Sequence, residues 1–183
     1  MGQQPAPNSA TDQAGSADRS VTEWVLLALL VEAPAHGFAL AKALEPESDL
    51  GRILTVRRPL VYRALDRLAA ASLVEPLQTE PGDAGPTRTV FQPTAFGLAE
   101  LERWLAEPVI HVRDLRLTFL VKLRLFERLG QNSEFLIAAQ RVALDHKIER
   151  LISADGDVVD LWRSHNARAA RDFLDEVEAG AGG

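Results

Sequence analysis

The stretch from Arg52 to Leu73, RILTVRRPLVYRALDRLAAASL, constrains this chain more than any other. A helix that starts near Pro59, whose fixed φ suits a first helical turn, sorts these residues onto two faces. The apolar face carries Val61, Ala64, Leu65, Leu68 and Ser72, and the other carries Tyr62, Arg63, Asp66 and Arg67.

The charge of this stretch opposes that of the whole chain. Five arginines against one aspartate give residues 52–67 a charge of +4, whereas the 183-residue chain carries −6 and has a pI of about 5.3. We interpret the stretch as a recognition helix, because guanidinium groups bind phosphates and base edges. The alternative is a solvated helix face.

Two short helices are predicted before the recognition helix. Residues Val21–Glu32 are apolar nearly all round, with Thr22 as a plausible N-cap and Pro34 as a terminator, so this helix should be buried. His36–Leu44 is a second helix, closed by Glu45-Pro46. Two helices, a turn region and a basic helix form a helix-turn-helix pattern.

A β-hairpin is predicted directly after the recognition helix. Residues 74–77 are extended, PGDAGP at 81–86 is dense in turn formers, and 87–92 alternate as a strand. A hairpin at this place is a wing, where Arg88 would contact DNA. The alternative, a phosphate-binding glycine loop, lacks the strand–loop–helix context and the Lys-Ser/Thr pair.

The remaining chain is predicted to be helical. A helix capped by Thr94 ends before Glu107-Pro108, and further helices cover 113–129 and 134–153. A last helix has an apolar seam that includes a core histidine, and its pairing with the preceding helix leaves apolar surface for the wing domain or a second copy. The seam residues are Val158, Trp162, His165, Ala169, Phe173 and Val177.

These elements predict a mainly α fold. We expect a disordered tail at 1–20, a winged helix-turn-helix DNA-binding domain with a two-stranded wing at 21–107, an α-helical dimerisation domain at 108–178, and a disordered end at 179–183. Trp24 and Trp104 are most simply core residues. They are also candidates for lining an effector cavity between subunits, where the first helix and the exit of the wing domain would meet.

No sequence pattern indicates catalysis, a metal or a cofactor. The chain has no cysteine, its four histidines have no metal-ligand spacing, and no nucleophile motif is present. The longest apolar run, Trp24–Val31, is too short to span a bilayer, and the N-terminus does not resemble a secretory signal. We therefore expect a cytoplasmic protein that is neither an enzyme nor a membrane protein.

The order of four motifs resembles the PadR family of transcriptional regulators. These motifs are His36-Gly37-Phe38, Val61-Tyr62 with Leu65 and Leu68, the wing strand Arg88–Phe91, and a helix carrying Thr94, Gly97 and Trp104. The resemblance covers roughly residues 21–108, and Asp114–Phe126 is similar to the start of the family's dimerisation region.

The resemblance implies a winged-helix homodimer that binds a palindromic operator, usually as a repressor, and that is in some members released by a small aromatic effector. It carries over Tyr62, Arg63 and Arg88 as contacts to double-stranded DNA. Charge and helix face add Arg57, Arg58 and Arg67. Many members have serine and glycine before the recognition helix, where this chain has residues 57–60, RRPL, so the family's base preference does not transfer. The alternatives are a winged-helix protein-interaction module without DNA binding and, with no supporting motif, an enzyme with a helical cap.

Overall fold

The structure, a computed structural model, describes residues 19–81 and 87–181. Most of the predicted N-terminal tail, the tip of the hairpin and residues 182–183 lie outside these ranges. The described elements are α1 Val21–Glu32, β1 Ala35–His36, α2 Gly37–Lys42, α3 Arg58–Ala70, β2 Val74–Glu80, β3 Arg88–Pro93, α4 Ala95–Ala106, a 3₁₀ helix Val112–Arg116, α5 Thr118–Arg128, α6 Glu134–Ile152 and α7 Val158–Ala181. The mainly α fold class is confirmed.

Helix α1 has the predicted limits and is buried along most of its length. Its N-cap is Ser20 and not the predicted Thr22, which is already helical. The Ser20 hydroxyl oxygen accepts a hydrogen bond from the Glu23 backbone N–H at 3.3 Å and donates to the Glu23 carboxylate at 3.0 Å. This reciprocal bonding satisfies an N–H group that would otherwise have no partner in the helix.

The wing hairpin belongs to a sheet of three antiparallel strands in the order β1-β3-β2. Strands β2 and β3 form the predicted hairpin. Strand β1 adds to its other edge, where Ala35 pairs with Phe91 and His36 with Val90. A two-residue strand has no alternating pattern to detect in the sequence. The prediction that His36 starts α2 is therefore wrong, because His36 lies in β1 and caps α2.

The recognition helix α3 buries the apolar face that its sequence predicts, with Val61, Ala64, Leu65 and Leu68 in the core. The prediction for Ser72 is wrong, because the helix ends at Ala70 and Ser72 is exposed in a left-handed conformation, with φ 58°. The Leu73 N–H then donates to the Leu68 carbonyl at 2.9 Å, which closes the helix end.

Helix α4 begins as predicted at the Thr94 cap, where the Thr94 hydroxyl accepts a hydrogen bond from the Gly97 N–H at 2.9 Å.

The helix expected over residues 113–129 is divided. A 3₁₀ helix ends at Arg116, Leu117 leaves the helical region with φ −120° and ψ −71°, and α5 follows. The buried Gln140 side chain holds the chain just before the 3₁₀ helix, since it bonds both the N–H and the carbonyl of Val109 at 2.8 Å.

Helices α6 and α7 form the predicted antiparallel pair. The buried residues of α6 include Ile137, Leu144 and Ile148, as expected. The seam predicted on α7 is wrong in its first four residues, because Val158, Trp162, His165 and Ala169 are exposed, and His165 is not a core residue. Its last two residues, Phe173 and Val177, are partly buried. Small side chains on the neighbouring face let the two helices pack closely. Helix α7 continues to Ala181, so the prediction that residues 179–181 are disordered is wrong. The buried residues of α7 are Ser164, Ala167, Ala170 and Leu174.

Two hydrophobic cores meet at α5. Its Val121 and Leu125 belong to the core of the winged-helix unit, whereas Phe119 packs into the core of α6 and α7. The predicted boundary between residues 107 and 108 stays a prediction, because α5 contributes to both cores.

No helix in the described ranges is long and apolar enough to cross a membrane.

Lys122 lies at this junction and is almost fully buried. Its ammonium donates to the carbonyls of Trp104 and Glu107 at the end of α4 and stands 4.6 Å from the centre of the Trp104 ring. Burial lowers the pKa of Lys122 to about 8, although the nearby charge of Glu107 opposes the change.

Candidate nucleic-acid interface

Four of the six predicted DNA contacts lie at the start of α3, on its exposed side. Arg57 precedes the helix, Arg58 opens it, and Tyr62 and Arg63 follow one turn later, all with exposed side chains. Because the opposite face is anchored in the core, the direction of these side chains is set by the helix itself.

Tyr62 packs against α2 in a way that depends on a glycine. A Cβ atom added to Gly37 would stand 2.5 Å from Cε1 of Tyr62, so only glycine permits this contact. The neighbouring His36 accepts a hydrogen bond from the Ala39 N–H through Nδ1 at 3.1 Å, which orients the start of α2. The His36-Gly37 step therefore supports the tyrosine.

The wing and α3 approach each other across α2. Arg88 of β3 and Arg58 of α3 both lie close to the ring of Phe38, with Cζ-to-centroid distances of 5.6 and 4.7 Å. A groove of about 540 Å³ runs between the three elements, and Phe38, Tyr62 and Arg88 are among its lining residues. The sequence places Phe38 in the family motif and in the helical spacing of α2, and it does not predict Phe38 as a site residue.

Arg67 is placed differently from the other predicted contacts. One of its guanidinium nitrogens lies 3.3 Å from Oε1 of Glu23, whose side chain is 4% exposed. The buried carboxylate of α1 is therefore compensated by an arginine of α3 that reaches it from the helix surface. This ion pair links the two helices. It engages the guanidinium of Arg67, which the sequence predicts to contact DNA.

The cations of the predicted interface lack acidic partners, which distinguishes them from Arg67 and from several arginines outside the interface. Within the described ranges, Arg57, Arg58, Arg63 and Arg88 have no carboxylate within 4 Å. By contrast, the arginines with such a partner are Arg67, Arg103, Arg113, Arg124, Arg128, Arg141 and Arg163. A surface with unpaired cations attracts a polyanion, even on a protein of negative net charge.

The two candidate effector residues lie in the core. Trp24 and Trp104 are stacked, with ring centroids 5.2 Å apart and an angle of 10° between the planes. Both are almost fully buried. Neither lines the groove beside the wing or the larger cavity beside α7, so their role in effector binding stays a prediction.

This larger cavity, of about 1050 Å³, lies between the 3₁₀ helix, α5, α6 and α7. Its apolar lining includes Leu115, Trp162 and Phe173, and its basic lining includes Arg116 and Arg150. No carboxylate is among the described residues that line it. Elsewhere too, the described ranges contain no cluster of three or more side chains suited to a metal ion.

A helix-turn-helix followed by a wing, with unpaired cations on the recognition helix and the wing, defines the winged-helix class of DNA-binding regulators. The chain's place within that class follows from its sequence. Residues 26–103 match the model of the "Transcriptional regulator PadR-like family". This match bears out the resemblance that the order of the motifs indicated.

The solved structures that are similar to this chain include two of one bacterial protein. The crystal structure of Bacillus subtilis PadR in complex with operator DNA is 17% identical, covers 88% of this chain and 99% of its own, and has a TM-score of 0.46. The structure of Bacillus subtilis PadR in complex with p-coumaric acid is 17% identical, covers 90% and 100%, and has a TM-score of 0.43. No curated protein matches the sequence.

Proposed function

We propose that this protein is a homodimeric repressor that places α3 of each subunit in the major groove of a palindromic operator and its wing against the adjacent backbone. The observation that carries the proposal is the set of unpaired arginines on α3 and β3. Tyr62 and Arg63 project from the exposed side of α3, where a hydroxyl and a guanidinium can donate to phosphates or to a guanine edge.

Arg63→Ala tests the proposal. We expect operator binding to weaken by about 1–3 kcal/mol if the guanidinium contacts a base. Because Arg63 is exposed, its loss should change the free energy of unfolding by no more than roughly 0.5 kcal/mol. The measurement is a titration of DNA from upstream of the chain's own gene and of a scrambled duplex, together with thermal melting. A base contact relaxes selectivity at one position of each half-site, whereas a phosphate contact weakens all sequences alike.

The control for this experiment is Arg171→Ala, which removes another exposed arginine, on α7 and away from the predicted interface. It should bind both duplexes like the wild type. If Arg63→Ala and the control are indistinguishable, α3 presents only a solvated face, and the chain is better explained as a protein-interaction module.

Dimerisation is proposed to use the outer face of α7. Val158 and Trp162 of α7 are 77% and 70% exposed, although both are large apolar residues. Such side chains on one helix face mark a surface that another protein covers. A second copy is the partner that fits this class, because a palindromic site is read by two subunits related by a two-fold axis.

Effector release is proposed to act through the cavity at the 3₁₀ helix, and not through Trp24 and Trp104. Its apolar walls and its arginines favour an organic anion with an apolar body. p-Coumaric acid is a suitable probe, with its uncharged methyl ester as the matched control, and quenching of Trp162 fluorescence is the signal. We expect the acid to bind and Arg150→Ala to weaken it. Equal binding of acid and ester would contradict a role for the arginines.

A further inference from the structure

Phe38 is an exposed aromatic residue without a role in the core. It lies in the first turn of α2, whose buried residues are Gly37, Leu40 and Ala41, and its own side chain is 40% exposed. Burial therefore does not explain why an aromatic ring stands here. Its contacts with charged neighbours provide another reason.

Two guanidinium groups from separate elements approach the Phe38 ring. Cζ of Arg58 lies 4.7 Å from the ring centroid, and Cζ of Arg88 lies 5.6 Å from it. Arg58 belongs to the first turn of the recognition helix, whereas Arg88 is the first residue of β3. A cation within about 6 Å of an aromatic ring is attracted by the ring's quadrupole. The ring thus connects the recognition helix with the wing.

An aromatic ring differs from a carboxylate as a partner for arginine. In the pair between Arg67 and Glu23, a guanidinium N–H donates its hydrogen bond to a carboxylate oxygen. That N–H is then not available to a DNA phosphate. A ring attracts the positive charge through its π electrons and offers no lone pair in the plane of the guanidinium. Arg58 and Arg88 can therefore be held by Phe38 while their N–H donors stay available for phosphate oxygens.

We propose that Phe38 is a positioning residue that holds Arg58 and Arg88 in place for phosphate contact and so aligns the wing with the recognition helix before DNA binds. This inference rests on the proposed DNA-binding function. Without the ring, two long side chains of like charge would be free to separate, and DNA binding would have to order both of them.

The test is Phe38→Leu in the full chain, which keeps an apolar side chain and removes the ring. In this variant DNA binding has to order the two arginine side chains, which costs entropy. We therefore expect affinity for the upstream DNA fragment to fall about three- to tenfold. The slope of log affinity against log salt should not change, because both arginines still reach phosphates. Arg88→Ala should instead reduce the slope by about 0.9 for each phosphate that the variant no longer reaches.

A double-mutant cycle separates positioning from direct contact. If Phe38 acts through the arginines, Phe38→Leu should have little further effect in a chain that already carries Arg58→Ala and Arg88→Ala. Phe96→Leu is the matched control, since Phe96 is an exposed phenylalanine of α4 with 51% exposure. The control should bind DNA like the wild type.

A second measurement needs no DNA. Ring currents shift the NMR signals of groups above an aromatic ring, so Phe38→Leu should move the side-chain Nε–H signals of Arg58 and Arg88 in the free protein. Phe96→Leu should move neither signal. Unchanged signals in Phe38→Leu would show that the ring does not hold the arginines and would overturn the inference.

The outcomes distinguish this inference from the function on which it rests. A wild-type chain that binds no DNA overturns the proposed function, and the positioning role with it. A wild-type chain that binds DNA, together with an Arg88→Ala variant that binds weakly and a Phe38→Leu variant that binds normally, overturns only the positioning role. Additive effects of Phe38→Leu and the arginine substitutions would also overturn it, because they would place Phe38 on the DNA itself.

Discussion

The winged-helix unit and the α6–α7 hairpin differ in how far their large apolar side chains are exposed. The most exposed large apolar side chain described in the first is Phe96, at 51%, whereas Val142 and Trp162 of the hairpin reach 80% and 70%. The unit that exposes less of its apolar surface is the more closed of the two, and a helical pair that leaves large apolar side chains outside offers a surface that another protein can cover. We therefore expect association to use the more open α6–α7 hairpin.

Leu65→Ala should have the largest effect on the closed unit. Leu65 lies in the core on the inner face of α3, and removing its side chain should lower the free energy of unfolding by about 2–5 kcal/mol. Urea denaturation followed by circular dichroism measures this change. A cost below about 1 kcal/mol would show that the winged-helix core repacks freely and is not a closed unit.

Trp162→Glu should act on the open half in a different way. A charge on an exposed helix position leaves the fold of the protomer intact, but in an interface it removes an aromatic anchor worth about 2 kcal/mol or more. We expect association to weaken at least about thirtyfold, with unchanged helix content. Analytical ultracentrifugation over a concentration series checks this, and a variant as dimeric as the wild type would place the interface elsewhere.

Arg67→Ala and Arg63→Ala should separate two arginines of one helix by their stability effects. Loss of Arg67 leaves the buried carboxylate of Glu23 without its cation, so unfolding free energy should fall by about 1–3 kcal/mol. Loss of Arg63 should cost less than about 0.5 kcal/mol. Glu23→Gln combined with Arg67→Ala should recover part of the loss. Equal stability of the two single variants would mean that the ion pair contributes nothing.

Lys122→Met should alter the pH dependence at the junction of the two halves. Burial lowers the pKa of Lys122 from 10.5 to about 8 in the folded chain. Between these pH values the unfolded chain binds more protons, so wild-type stability should rise from pH 8 to 10.5 relative to the variant. Urea midpoints of both chains at about pH 7.5 and about pH 10 test this. Parallel profiles would show that Lys122 titrates normally.

The faces of α3 and the start of α4 follow from the sequence alone. Val61, Leu65 and Leu68 repeat at helical spacing, and Thr94 caps α4 through an N–H only three residues away. Such features depend on local geometry, in which a side chain's direction is set by its position in the helix. The order of these motifs along the chain was also sufficient for the family resemblance that residues 26–103 confirm.

Tertiary structure alone decided the partners of the charged and aromatic side chains. Arg67 meets Glu23 across 44 residues, and Phe38 meets Arg88 across 50, so no periodicity could reveal either contact. The buried face of α7 was decided in the same way, because close helix approach favours the small Ala167 and Ala170 over the larger seam beside them. Periodicity reports which residues share a face, but only packing determines which face is covered and which arginines remain for DNA.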